Sequence, residues 1–167
     1  MSKTAVVILN WNGRGFLEKF LPPLLQYTPQ ELGSVIVADN GSEDGSLELL
    51  EERYPTVKTI KFDKNYGFTG GYNRAFEAIR NQPELYGKFE YYLLLNSDVE
   101  VTPGWLDCLV EFMESHPKAA ICSPKVLSYD RRDHFEHAGA CGGMLDRFDG
   151  ALLAFPVAII YIIFFAA

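Results

Sequence analysis

Cysteine is scarce in this sequence of 167 residues, which contains three, Cys108, Cys122 and Cys141, and no C-x-x-C pair. An odd number of cysteines without paired spacing argues against a disulfide framework and against a zinc site, and favours a reducing compartment. Basic residues are also in deficit: 15 Lys and Arg stand against 22 Asp and Glu, so the formal net charge is −7. A chain this acidic is not expected to bind nucleic acid through a basic surface.

Several motifs are missing as well. The chain has neither a G-x-G-x-x-G fingerprint nor a Walker A loop, which removes the main support for dinucleotide or ATP binding. It shows no internal repeat and no low-complexity linker. Its opening apolar run of about five residues is too short for the hydrophobic region of a secretory signal peptide. With 48% hydrophobic and 14% aromatic residues, the composition is that of one folded domain.

What is present is an alternation of strand and helix patterns. This alternation predicts βαβ units and an α/β fold, a mostly parallel sheet flanked by helices. Lys58 and Lys61 interrupt the third predicted strand, which therefore belongs nearer an edge of the sheet. The predicted strands cover residues 5–9, 34–38, 57–62 and 91–95, followed by two short strands at 119–122 and 125–129.

Helical spacing of apolar residues predicts a helix after each of the first four strands. In the first, Pro22-Pro23 predicts two short pieces or a kink. In the last, Thr102 is the expected N-cap, with Pro103 at the first helical position. The residues predicted to face inwards are Phe16, Leu17, Phe20, Leu21, Leu24 and Leu25, then Leu47, Leu50 and Tyr54, then Tyr72, Ala75, Phe76 and Ile79, and finally Leu106, Leu109, Val110 and Met113.

Each of the first four hydrophobic runs ends in a short polar cluster. In an open α/β sheet, ligands bind beyond the carboxyl ends of the strands. Four such strand exits therefore predict one polar site at one edge of the sheet. The clusters are Asn10-Trp11-Asn12-Gly13, Asp39-Asn40-Gly41-Ser42, Asn65-Tyr66-Gly67-Phe68 and Asn96-Ser97-Asp98.

Asp39 ends the second predicted strand, so its carboxylate is expected to point over the sheet edge. There it could accept two N–H bonds from a nucleobase or two O–H bonds from a ribose. The alternative is an ordinary capped turn between strand and helix. That alternative explains Ser42 and Ser46 as helix caps but does not require Asp39.

Asp98 follows the fourth predicted strand. A divalent cation that shares a nucleotide diphosphate needs only one or two protein carboxylates, because phosphate oxygens and water supply the other ligands. Asp98 could be that ligand, and Asn96 could bind the metal weakly or hydrogen-bond the ribose. The alternative is that Asp98 only caps a turn.

The third cluster continues into Gly70-Gly71-Tyr72-Asn73. Its glycines would let the backbone approach a ligand closely, and the helix behind it would present N–H groups to phosphate. Close packing of helix on sheet explains Gly70 and Gly71 equally well, but not Asn73. Two further acidic or histidine-rich groups are interpreted as solvated surface: Glu48, Glu51 and Glu52 on a helix, and Asp133, His134 and His137 in a loop.

Taken together and in this order, the four clusters resemble family 2 glycosyltransferases of the GT-A fold, and most of all their rhamnosyltransferase-like branch, across residues 4–145. The resemblance implies transfer of a sugar from a UDP- or dTDP-linked donor to a saccharide or lipid-linked acceptor hydroxyl, usually with inversion and with Mg or Mn. It further implies a role in the synthesis of a cell-surface polysaccharide. The implied location is the cytoplasm, either free or in peripheral association with the inner face of the membrane. The implied substrate-binding residues are Asn10, Trp11, Asn12, Asp39, Asn40, Gly70, Asn73 and Asn96, and the implied metal ligand is Asp98.

The sequence departs from the family pattern at three places. Asn96 stands where the D-x-D motif has its first Asp, and Tyr72 stands where the family often has Arg. Nothing matches the downstream Glu-Asp pair that supplies the family's catalytic base. We therefore expect residues 1–145 to be the nucleotide-sugar-binding part of a truncated or frame-shifted transferase, catalytically incomplete by itself.

Residues 146–167 are expected to form a separate apolar tail, uncharged from Ala151 onwards. The tail is open to three interpretations: a membrane anchor, a buried terminal strand or helix, or a segment foreign to the domain. Three alternative functions also stay open. They are a non-catalytic nucleotide-binding module, a sugar nucleotidyltransferase, and a membrane-anchored polyprenyl-phosphate transferase.

Overall fold

The structure is a computed structural model that describes residues 2–124, 126–134 and 161–163. Three parts of the predictions lie outside the described residues. They are position 125 of the last predicted strand, His137, and all of the tail except 161–163. The strands are β1 Thr4–Asn10, β2 Gly33–Asp39, β3 Lys58–Lys61, β4 Tyr91–Asn96, β5 Ile121–Cys122 and β6 Tyr161–Ile163. The helices are α1 Arg14–Tyr27, α2 Ser46–Arg53, α3 Gly67–Asn81, α4 Pro83–Tyr86 and α5 Trp105–Ser115.

The strands form one sheet in the order β3-β2-β1-β4-β6-β5. The first four are mutually parallel, whereas β6 runs antiparallel to both β4 and β5. The predicted α/β class is therefore confirmed. β3 is the edge strand on its side of the described sheet, as its two lysines predicted.

Helices cover both faces of the sheet. Along β1, Val6 and Ile8 pack into one apolar cluster with α1, α2 and α5. Ala5 and Val7 pack into a second cluster with α3 and α4. This alternation follows from the two-residue period of a strand, and burial on both sides explains why the parallel strands read as continuous apolar runs.

Helix α1 differs from the prediction. It is one helix with Pro22 and Pro23 inside it, so of the two predicted alternatives, two pieces or a kink, the two pieces are wrong. Each proline removes one N–H donor, so the carbonyl groups of Glu18 and Lys19 lose their intrahelical partners. Both of those residues are exposed, so water can satisfy these carbonyls. The predicted inward position of Phe16 was also wrong, since its side chain is 50% exposed.

Two other helix details differ. In α2 the buried residues are Ser46, Leu49 and Leu50. Of the predicted inward residues, Leu50 is therefore confirmed, Tyr54 is half-buried and packs against the same apolar cluster, and Leu47 is only half-buried. Thr102 does not cap α5; Gly104, with a φ of 76°, precedes the helix instead. The Pro103-Gly104 pair makes a turn in which the Thr102 carbonyl accepts the Trp105 N–H at 3.2 Å. The four predicted inward residues of α5 are all buried.

Residues 126–129 form no extended strand. Tyr129 instead packs edge-on against Phe20 of α1, with ring centroids 5.8 Å apart. The ammonium group of Lys19 lies 4.3 Å from the centre of the Tyr129 ring. This segment therefore covers the outside of α1 rather than extending the sheet.

Two cavities lie at the amino edge of the sheet, where the parallel strands begin. One, of about 520 Å³, is lined by residues that include Ser34, Lys58 and Tyr86. The other, of about 540 Å³, is lined by residues that include Thr28, Gly33 and Thr56. Both are on the opposite side from the polar clusters that follow the strands.

Candidate functional site

Three polar strand exits meet at the carboxyl edge of the sheet. β1, β2 and β4 are parallel neighbours, so their last residues, Asn10, Asp39 and Asn96, end on the same side. The chain moves from β1 outwards to β3 and then returns to place β4 on the other side of β1. The sheet therefore has its topological switch point between β1 and β4, the place where open α/β sheets bind ligands.

Asp39 is fully buried and held by two donors. The Asn10 amide nitrogen donates to Asp39 Oδ2 at 2.9 Å, and the Ser42 backbone N–H donates to Asp39 Oδ1 at 2.9 Å. Asn10 is fully buried too, and its Oδ1 has no hydrogen-bond partner. The carboxylate thus has a fixed orientation before any ligand is present, and each oxygen keeps a second lone pair.

Asn12 joins the loops that follow β1 and β2. It is the non-glycine residue in the described chain with a positive φ, 50°. Its side-chain oxygen accepts the Glu43 N–H at 2.9 Å, and its own N–H donates to Ser42 Oγ at 2.9 Å. Ser42 therefore bridges the two loops instead of capping a helix, which corrects the predicted alternative for that residue.

Gly45 is the N-cap residue of α2, and Asp44, one residue before it, accepts the first N–H of the helix in place of the serines. Its Oδ1 accepts from the Ser46 N–H at 3.1 Å, and its Oδ2 accepts from the Arg14 N–H at 2.8 Å. Burial raises the pKa of Asp44, but hydrogen bonds from the Ser46 hydroxyl and from these backbone N–H groups outweigh it, so the pKa lies below its usual value. One carboxylate thereby fixes the starts of both α1 and α2.

Asn40 links the ends of β2 and β3. It is 2% exposed, and its amide nitrogen donates to Asn65 Oδ1 at 2.9 Å and to the Gly67 carbonyl at 3.2 Å. Its Oδ1 accepts the Tyr66 N–H at 2.9 Å. Asn40 therefore holds the loop that leads into α3.

The glycines of this region serve close packing. A Cβ on Gly71 would lie 2.7 Å from Leu9 Cδ1 and 3.2 Å from Asn40 Nδ2. A Cβ on Gly70 would lie 3.3 Å from Tyr66 Cβ. At Gly41, where φ is +77°, a Cβ would meet the Lys64 backbone at 2.7 Å. The interpretation as close packing of helix on sheet thus has direct structural support at Gly71, whereas the neighbour of Gly70 belongs to the start of its own helix.

The fourth cluster leaves β4 beside the switch point. Asn96 and Ser97 are half-buried, and Asp98 is exposed. A Cβ on Gly13 would lie 2.4 Å from Asn10 Oδ1 and 3.3 Å from Ser97 Oγ, so the exits of β1 and β4 are close neighbours. The exits of β2 and β4 are separated by two strand spacings, so their backbones lie about 10 Å apart. That is a span over which one extended nucleotide can contact both Asp39 and Asp98.

Two of the predicted site residues offer exposed side chains. The Trp11 ring is 57% exposed directly after β1, where a flat base could stack on it. Asn73 is exposed on α3, in its second turn. By contrast, Asn10, Asp39 and Asn40 lie below the surface and shape the loops from within.

The residues at the β4 exit fit a hard divalent cation. Asp98 offers a carboxylate and Asn96 an amide oxygen, the donor types that Mg²⁺ and Mn²⁺ accept. Within the described residues no three His, Cys, Asp or Glu side chains gather into a complete metal cage. Such a donor set suits an ion that takes its other ligands from a bound diphosphate and water.

The other charged groups considered from the sequence belong to the surface. His134 pairs with its neighbour Asp133 at 2.9 Å, and both are exposed. Glu48, Glu51 and Glu52 are exposed on α2, and Glu51 pairs with Lys61.

Comparison with known proteins decides the family. The model of glycosyl transferase family 2 matches residues 5–167. The chain belongs to this family. Family membership agrees with the resemblance carried by the four clusters, and it disfavours the sugar nucleotidyltransferase alternative. No helix of the described residues is long and apolar enough to cross a membrane.

Similar curated proteins include transferases. An N-acetylglucosaminyl-diphospho-decaprenol L-rhamnosyltransferase of Mycobacterium tuberculosis is 29% identical over 128 residues, which are 75% of this chain and 41% of that protein. The uncharacterized glycosyltransferase YfnE of Bacillus subtilis is 38% identical over 81 residues, 47% of this chain and 20% of that protein. The chain therefore spans less than half the length of the curated relatives that it matches.

Solved structures of glycosyltransferases share the fold. The mannosyltransferase PcManGT from Pyrobaculum calidifontis, in complex with GDP-Man and Mn²⁺, has a TM-score of 0.63 at 17% identity, covering 75% of this chain and 36% of that one. S. aureus TarS 1-349 in complex with UDP-GlcNAc has a TM-score of 0.58 at 18% identity, and the match covers 78% of this chain and 42% of the TarS chain. The sheet with its flanking helices is accordingly a GT-A fold.

Proposed function

We propose that this chain supplies the donor-binding part of an inverting, metal-assisted glycosyltransferase that uses a UDP- or dTDP-linked sugar. One observation carries the proposal. A buried Asp39, fixed by Asn10, lies on one side of the switch point, and an exposed Asp98 follows the strand on the other. A nucleotide diphosphate fits this pair of carboxylates, because its nucleoside end can donate hydrogen bonds to the buried one and its diphosphate end can share a metal ion with the exposed one.

Asp39 and Trp11 are the proposed contacts for the nucleoside. Trp11 stacks on the base, while Asp39 accepts hydrogen bonds from the base or ribose with its remaining lone pairs. Because Asp39 is fully buried, this contact requires a small movement of the neighbouring loops. Asn10, Asn12 and Asn40 hold those loops in register.

Gly70 in the first turn of α3 and Asn73 in the second are proposed to lie along the diphosphate. Asp98, with Asn96, is proposed to hold Mg²⁺ or Mn²⁺ there. A bound ion would neutralise the charge that develops on the departing diphosphate. The Mn²⁺ in the PcManGT complex supports this choice of cofactor.

The acceptor is proposed to be a saccharide or lipid-linked hydroxyl, in the synthesis of a cell-surface polysaccharide. The Mycobacterium tuberculosis relative, an N-acetylglucosaminyl-diphospho-decaprenol L-rhamnosyltransferase, supports this class. We further propose that the whole protein acts in the cytoplasm, in peripheral contact with the inner face of the membrane where such lipids are available.

A thermal-shift titration tests donor binding. UDP, dTDP and GDP are each added with and without Mn²⁺, and a nucleotide at about 100 times its Kd should raise the Tm by roughly 5–10 °C. Asp39→Ala should abolish the shift, and Asp98→Ala should remove only its dependence on Mn²⁺. Asp107→Ala, an exposed aspartate on α5, is the matched control. The absence of any nucleotide-dependent shift in the wild type would refute the proposal.

A donor-hydrolysis assay separates a transferase from a non-catalytic nucleotide-binding module. A transferase site releases free sugar from its donor slowly when water replaces the acceptor, and does so faster with Mn²⁺. Saturable UDP or dTDP binding without any release of sugar would favour the binding module.

A further inference from the structure

Tyr72 is a buried phenol near the start of α3. It is 2% exposed, and its ring contacts those of Phe68 and Phe76, with centroids 5.0 Å and 5.9 Å away. Its hydroxyl donates to the Leu95 carbonyl at 3.0 Å. A buried tyrosine hydroxyl needs such a partner, so this bond fixes α3 to β4.

The position of Leu95 gives this bond its meaning. Leu95 is the residue before Asn96-Ser97-Asp98 and lies one residue before the end of β4. The Tyr72 hydroxyl thus holds β4 next to its exit. The main chain three residues later carries the Asp98 carboxylate.

Asp98 also acts on Tyr72 electrostatically. Burial raises the pKa of the Tyr72 phenol, hydrogen bonding with the Leu9 backbone opposes this, and the negative charge of Asp98 raises the pKa further. The phenol keeps its proton at neutral pH, so it stays a hydrogen-bond donor throughout the working range.

The other side of α3 is fixed as firmly. Gly71 packs against Leu9 of β1 and against the Asn40 side chain, which itself holds the loop before α3. Tyr72 thus connects a frame built on β1 and β2 to the exit of β4. A shift of that exit would move Asp98 relative to Asp39.

We propose that Tyr72 is a positioning residue that sets the β4 exit so that Asp98 presents its carboxylate to a divalent cation shared with a nucleotide diphosphate. This inference rests on the proposed function, since it presumes a nucleotide and a metal at this edge. It assigns to a buried side chain on α3 a role that no contact with the ligand would reveal.

The test compares Tyr72→Phe with wild type by calorimetric titration of UDP with and without Mn²⁺. The substitution keeps the ring packing and removes only the hydroxyl. We expect the metal-free Kd to stay within about twofold, while the gain in affinity that Mn²⁺ provides falls about fivefold, the effect of losing one ordinary hydrogen bond. Tyr86→Phe, at another buried tyrosine of the same apolar cluster, is the matched control and should leave both values unchanged.

Three further measurements keep the test decisive. Binding of Mn²⁺ to the protein–UDP complex, measured by electron paramagnetic resonance, should be weaker for Tyr72→Phe than for the wild type. In the Asp98→Asn variant, the additional substitution Tyr72→Phe should cause no further change in UDP binding. Amide exchange of residues 96–98 should speed up in Tyr72→Phe but not in Tyr86→Phe.

Two outcomes would overturn the inference. One is an unchanged gain from Mn²⁺ in Tyr72→Phe, and the other is an equal loss of affinity with and without the metal, which would make Tyr72 a general support of the fold. A wild type that binds no nucleotide would instead refute the proposed function, so the two failures are distinguishable.

Discussion

At the scale of single residues, hydrogen bonds within the chain fix the buried polar side chains beneath the site. Asp39 is held by donors from β1 and from its own loop, and Asn40 is bonded to three backbone or side-chain groups beyond β3. Buried polar groups of this kind stabilise the fold only when all of their partners are present, because an unpaired group in the interior loses its water without compensation.

Asp39→Asn tests this dependence. The two Asp39 oxygens face two donors, so an amide would turn its NH₂ group towards one of them in a site without solvent exposure. We expect the free energy of unfolding in urea to fall by about 1–3 kcal/mol. Asp98→Asn, on an exposed side chain, should change it by less than about 0.5 kcal/mol. Equal effects of the two substitutions would contradict the burial of Asp39.

Asp44 makes the stability of the folded chain depend on pH. Its pKa is lower in the folded chain than in the unfolded one, so its contribution to stability is fully present above the unfolded value of 3.8 and is lost as the pH falls through the lower folded value. Asp44→Asn should therefore destabilise the protein more at pH 7 than near pH 3. Urea unfolding at both pH values measures this, and a penalty independent of pH would argue against the lowered pKa.

At the scale of elements, the close approach of α3 to the sheet decides where its first turn lies. Gly71 leaves no room for a methyl group between α3, Leu9 and Asn40. Gly15 in α1 has no neighbouring heavy atom within 4 Å of the position that its Cβ would take. Gly15 and Gly71, both inside helices, therefore make a matched pair for substitution by alanine.

Gly71→Ala should destabilise the chain by about 1–3 kcal/mol through overpacking. Gly15→Ala should stabilise it by about 0.5–1 kcal/mol, because alanine loses less backbone entropy in a helix. Thermal unfolding of both variants checks the difference in sign. Two substitutions that both raised the Tm would show that α3 has room to move away from Leu9.

How far the sequence predicts these elements depends on which force shapes each of them. Long apolar runs such as 91–95 predict strands correctly because burial on both faces requires them. The α5 cap was mispredicted at Thr102 because a Pro-Gly turn outcompetes a side-chain cap, and a single sequence does not reveal which one forms. The bridging role of Ser42 was not predicted for a similar reason, since serine in a loop is compatible with many partners.

At the scale of the whole molecule, the parallel arrangement of four strands puts every predicted cluster at one edge. That placement followed from the sequence, because the direction of each strand is dictated by the helix that connects it to the next. The hydrogen bonds between loops needed the folded chain, since they join residues about 30 positions apart, as Asn10 joins Asp39.

Amide hydrogen exchange with and without UDP and Mn²⁺ tests the placement of the site. Binding should slow exchange in the loops of the carboxyl edge, because a ligand there excludes water and damps local opening. The protected segments should be 11–14, 40–46, 66–71 and 96–99. The segments expected to stay unchanged are 28–32, 54–57 and 86–90 at the amino edge. Protection confined to the amino edge would contradict the assignment.

The two hollows at the beginnings of the strands have a practical consequence. Small molecules that bind in those concave spaces, around Lys58 and Thr28, would lie at the opposite edge of the sheet from Asp39 and Asp98. They would therefore leave nucleotide binding at the proposed site unaffected. A chemical inhibitor should instead be grown from a nucleotide that already covers the exposed indole of Trp11.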